Sequence, residues 1–102
     1  MFYTVEQAKK QVERLEALKR LEQNDDFKAI ILEGYCQSQI DILVSLLSQT
    51  ATKQQYEERC DKLRAISYLK SFLHCLKLEG ESAEAALKDP EVFKEMEEIA
   101  NG

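Results

Sequence analysis

The chain has 102 residues, a formal net charge of −5, 32% charged residues, and only 3 Gly and 1 Pro. That length suits a single helical domain over residues 1–102 rather than two domains. So few turn-forming residues exclude a sheet-rich fold, which needs many tight connections. The acidic balance (pI about 4.9) repels phosphate backbones and anionic lipid, so neither nucleic acid nor a membrane is expected as a partner.

The opening MFYTVEQAKK lacks an apolar core of signal-peptide length. No window is expected to approach the roughly 18–20 apolar residues of a membrane span. Thr4 and Gln7 are spaced as a capping box, with each side chain serving the other's backbone N–H. A first helix is predicted over about 5–22, with Val5, Ala8, Val12, Leu15 and Leu18 as its apolar stripe. On its polar face, Lys9 with Glu13 and Glu16 with Arg20 are spaced for i,i+4 ion pairs.

Asn24, Asp25 and Asp26 break that pattern and suit a turn and an N-cap. A second helix is predicted over about 27–48. Phe27, Ile30, Ile31 and Tyr35 form one apolar stripe, and Leu32, Cys36, Ile40, Leu43 and Leu47 form another. Ile42, Val44 and Leu46 widen the second half, so the helix is expected to be covered on more than one side. Gly34 sits inside this run, where glycine costs roughly 1 kcal/mol relative to alanine. Three readings are open. Gly34 marks a close crossing with the first or last helix of the same chain, or a crossing with a second copy or another protein, or a loosened or kinked helix.

A polar break carries a second candidate box, Thr52 to Gln55. A third helix is predicted over about 53–78, stopped by Gly80 as a left-handed C′ glycine, with a short helix over 82–88. Asp89 is suited to cap a last helix over 90–100, with Pro90 at its first position. The second and third helices, joined by a short connection, predict an all-α antiparallel helical hairpin. The first helix and the C-terminal helices would pack against it.

The sequence offers little chemistry. Cys36, Cys60 and Cys75 are an odd set without CxxC spacing, and the one histidine, His74, neighbours Cys75 without a third group at ligand spacing. They read as buried, inert thiols in a reducing, intracellular setting. Glu57 and Glu58, beside Arg59 and Lys62, read as surface pairs. No nucleotide-binding, hydrolase or zinc-protease motif is present, so the expectation is a protein that is not an enzyme, with no catalytic residue, no metal ligand and no cofactor. Tyr3, Tyr35, Tyr56 and Tyr68 suit either a core edge or an interface. The expected interface is Phe27, Ile31, Gly34, Tyr35, Ile42, Leu46, Tyr68 and Phe72.

The segments ALKRLEQNDDFKAIILEGY, ILVSLL, CDKLRAISYLKSFL and EGESAEAAL share a pattern. Across residues 17–88 they resemble a group of small tailed-bacteriophage helical proteins from the head-assembly gene region. The matching residues are Leu21, Asn24, Asp26, Phe27, Lys28, Ile31, Gly34, Tyr35, Leu63, Ile66, Leu69, Gly80 and Leu87. The resemblance implies a virion or assembly component, in the host cytoplasm or virion-associated and not secreted. Its partner would be itself, as a homo-oligomer, or a phage structural protein. The other function considered is a small inhibitor or adaptor that binds a host protein or small ligand.

Overall fold

The computed structural model describes residues 4–101, with side chains through Ile99, so Tyr3 and Gly102 lie outside the described residues. Among the described residues every element is helical: α1 (Val5–Glu22), α2 (Asp25–Leu47), α3 (Lys53–Lys88) and α4 (Pro90–Asn101). The all-α expectation holds, and the first, second and last helices fall within a few residues of their predicted bounds.

The starts of these helices follow from local chemistry. Thr4 and Gln7 form the reciprocal box: Thr4 N–H donates to Gln7 Oε1 at 3.1 Å, and Gln7 N–H donates to Thr4 Oγ1 at 3.2 Å. Thr52 and Gln55 repeat it at 3.0 and 3.1 Å ahead of α3. Asn24 Oδ1 accepts from Phe27 N–H at 2.9 Å and opens α2. Asp89 Oδ1 accepts from Glu91 N–H at 3.0 Å, and Pro90 takes the first position of α4, where its missing N–H leaves nothing unpaired.

Three expectations are corrected. First, Gly80 does not stop the third helix, and no separate helix spans 82–88: α3 runs unbroken from Lys53 to Lys88, and no glycine among the described residues has a positive φ. The reason is packing. Gly80 is buried, and a Cβ there would stand 2.5 Å from Leu15 Cβ, so it is the site of closest approach between α1 and α3. Second, Gly34 marks no crossing within the described chain. The one group near a Cβ built there is the Ala29 carbonyl, whose oxygen is 3.0 Å away and belongs to the same helix. Gly34 instead lies in a π-helical segment of α2, Lys28–Ser38, where the Gln39 N–H bonds the Gly34 carbonyl five residues back. Within the single chain this matches the loosened-helix reading. Third, α2 spans 23 residues and is long and apolar enough, by length and composition, to cross a membrane, although no such window was expected. Only 11% of its most apolar window is buried.

The chain divides into two compact units. One is Leu21–Phe72; the other joins the chain ends, Met1–Arg20 with Leu73–Gly102. In the second unit Ala8, Ala83 and Met96 form a core, with Val12, Ala86, Leu87 and Phe93 packed on it, so α1, the end of α3 and α4 bury their stripes together. In the first unit Cys36, Leu43 and Ile66 are the core, flanked by Ile31, Tyr35, Ile40, Leu63 and Leu69. Each of the large buried side chains, Met96, Leu43 and Ile66, contributes about 1.5–3 kcal/mol relative to exposure.

The charged face of the chain is organised differently from expectation. Glu16 pairs with Lys19 at 3.9 Å rather than with Arg20, and Glu57 pairs with Lys53 at 4.0 Å. Arg59 is not a surface partner of Glu57 or Glu58. Its Nη1 donates to the Leu46 carbonyl at 2.8 Å, across the turn. The Leu46 carbonyl also accepts from Gln49 N–H at 3.1 Å, so the guanidinium adds a second, charged donor at the end of α2.

Candidate functional site

Within the Leu21–Phe72 unit, α2 and the first part of α3 leave an open groove of about 620 Å³. From α2 it is lined by Ile30, Gly34, Tyr35, Ser38, Gln39 and Leu43, and from α3 by Lys62, Ala65 and Ile66. The volume lies in the range of small-ligand sites, about 300–1,000 Å³.

The winding of α2 builds this wall. In an α-helix Ile30 and Leu43 would point about 140° apart. Bonding to the fifth residue back lengthens each turn beyond four residues, so positions four and five apart fall into line. Ile30, then Gly34 and Tyr35, then Ser38 and Gln39, then Leu43 follow that spacing along the groove. Gly34 adds no side chain, so the wall is recessed at its middle. The Ser38 hydroxyl donates to the Glu33 carbonyl at 2.9 Å, holding the same five-residue step.

The α3 wall continues beyond the groove. Ala65, Tyr68 and Phe72 are spaced i, i+3, i+7 and share one face of the helix. Tyr68 is 72% exposed, Phe72 59% and Ile30 68%. Large apolar side chains left this far in water, beside an apolar groove, are the usual mark of a contact surface.

The structure brings some expected interface residues together and separates others. Gly34 and Tyr35 line the groove, and Tyr68 and Phe72 extend it along α3. Ile31 faces the core, Phe27 and Leu46 are half-buried, and Ile42 is exposed without lining the groove. Sequence reasoning missed Ile30 as a contact residue, and also Lys62 and Ala65. The i, i+3, i+7 step from Ala65 to Phe72 was a visible signal. The π winding that admits Ile30 was not.

The thiols differ from one another, which corrects the expectation that all are buried. Cys36 is buried and packs with Ile66, Cys60 is half-buried, and Cys75 is exposed. Among the described residues no three Cys, His, Asp or Glu side chains stand close enough together to hold a metal ion. No family model, no curated protein and no solved structure matches this chain.

Proposed function

We propose that this chain is a non-enzymatic interaction protein that works by contact with other proteins, through the flank of α2 and α3 beside the groove. The observation that carries the reading is the set Ile30, Tyr68 and Phe72, each more than half exposed along one apolar strip. The reading takes α2 and the first part of α3 as an antiparallel hairpin. The five-residue connection, the Arg59–Leu46 bond beside it and the shared Cys36, Leu43 and Ile66 core support that arrangement. A two-helix layer buries little of its own surface, and a partner helix laid along the exposed strip would extend it toward a bundle. In the setting that the phage resemblance implies, the partner is a second copy or a virion structural protein, and the role is assembly.

The test is absolute mass by light scattering on a sizing column, over a range of concentrations. Self-association through this strip predicts a mass above the 11.8 kDa of one chain, rising with concentration. The double variant Tyr68→Ser, Phe72→Ser should return it to one chain while keeping its helicity. A single-chain mass at all concentrations, with purified phage particles free of the protein, would refute the assembly role.

A further inference from the structure

We propose that the α2–α3 groove is a binding site for a free amphiphilic monocarboxylate, an anion of the fatty-acid type with its chain along the groove and its carboxylate at Lys62. The groove shares Ile30 with the interaction strip, but Lys62→Gln and Ala65→Phe report on the groove while Tyr68→Ser, Phe72→Ser reports on the strip, so the two readings fail separately.

Charge and polarity set this groove apart from the rest of the chain. The whole chain carries 19 acidic and 14 basic residues, yet the groove wall holds one cation, Lys62, and no carboxylate. Lys62 makes no ion pair with any described residue. The nearest acid in sequence, Asp61, is held by Arg64 at 2.7 Å. The other polar residues on the wall are Tyr35, Gln39 and Ser38; the Ser38 proton is already given to the Glu33 carbonyl, which leaves the Tyr35 hydroxyl and the Gln39 amide able to donate. An anion meets donors and one ammonium there, and no opposing charge. Ile30, Leu43, Ala65 and Ile66 give the rest of the wall an apolar surface suited to methylenes.

The shape agrees. The groove runs between two helices, so an extended chain can lie along it. From Ile30 to Leu43 the wall runs about 15–20 Å at helical rise, room for an extended medium-length acyl chain. The recess at Gly34 is where a side chain on α2 would otherwise displace that chain.

Calorimetric titration of the full chain with sodium dodecanoate, below the concentration at which it forms micelles, tests the site. The expected result is saturable one-to-one binding that weakens as salt is raised. Shortening to decanoate and then octanoate should weaken it by up to about fourfold per methylene removed. Lys62→Gln should weaken dodecanoate about two- to fivefold and abolish its advantage over the uncharged dodecanol. Ala65→Phe, at an exposed helical position, should fill the groove and abolish binding with helicity unchanged. Lys53→Gln, whose lysine pairs with Glu57 away from the groove, should leave affinity as it was. Non-saturable uptake, or binding indifferent to both Lys62→Gln and Ala65→Phe, would overturn the site. So would uptake only into phospholipid vesicles.

Discussion

At the scale of single residues, two glycines in helices do opposite things. Gly80 lies against Leu15 so closely that a Cβ would stand 2.5 Å from Leu15 Cβ and 3.0 Å from its Cδ2. Leu15 is itself buried and cannot swing away. Gly34 faces an open groove and meets only the Ala29 carbonyl oxygen. Alanine gains about 1 kcal/mol of helix propensity at either position. At Gly80 that gain is outweighed by overpacking, typically about 1–3 kcal/mol. Gly80→Ala should therefore lower stability in urea denaturation, and should lower it more than Gly34→Ala does. A Gly80→Ala variant as stable as the native protein, or more so, would contradict the close approach of α1 and α3. From the sequence, close packing was expected at Gly34 and a helix stop at Gly80, and the structure reverses both. Which glycine carried the contact was not legible, because Leu15 lies far from Gly80 in sequence and only the fold brings them together.

Gln11 is the second residue-scale case. Its side-chain Oε1 is buried on α1 with no hydrogen-bond donor among the described residues. Leaving such an acceptor unsatisfied costs about 1–3 kcal/mol. Gln11→Met keeps the length of the side chain and removes the orphan oxygen. It should raise stability by about 1 kcal/mol, read as a higher urea midpoint with an unchanged slope. A lower midpoint would mean that the amide has a partner the buried surroundings conceal.

At the scale of elements, helix starts were legible and one helix end was not. Thr4–Gln7, Asn24, Thr52–Gln55 and Asp89–Pro90 each act within a few residues, so sequence alone locates them. The end of α3 depends on what Gly80 touches, and the π winding of α2 depends on backbone bonding that side-chain periodicity does not encode. Reading α2 at 3.6 residues per turn therefore divided its apolar residues into the wrong stripes. The last turn of α3 carries its own electrostatic device. Lys88 Nζ donates to Glu84 Oε1 at 2.9 Å. That bond, then the charge of Lys88, hold the exposed Glu84 carboxyl below the ordinary glutamate value, with a smaller contribution from Lys19. The sign follows from a folded value below the unfolded one. The pair's contribution is present above the unfolded value and fades as pH falls through the folded one. Thermal midpoints of the native protein and Glu84→Gln should differ slightly at neutral pH and converge in acid. A gap that widens on acidification would exclude this pairing.

At the scale of the whole molecule, two small cores share one helix. Neither unit is large enough to bury much surface alone: domains of about 60 residues are already marginal. The units divide between Arg20 and Leu21, near the end of α1, and between Phe72 and Leu73, in the interior of α3, where the backbone bonding continues without a break. Unfolding either unit would expose a helix end in the middle of α3 and free the four carbonyls or amides that a terminus leaves unpaired. Helix propagation thus couples the units, without any need for side-chain contact between them. The expectation is a single cooperative transition. Leu15→Ala in one unit and Ile66→Ala in the other each remove a side chain that is 1% exposed, so each should cost about 2–5 kcal/mol. Both should lower the same calorimetric midpoint, by on the order of 10 °C or more for a chain of this size. If Leu15→Ala instead splits the endotherm in two, while the half that melts later keeps the midpoint of the native protein, then α3 breaks at the boundary and the units fold independently.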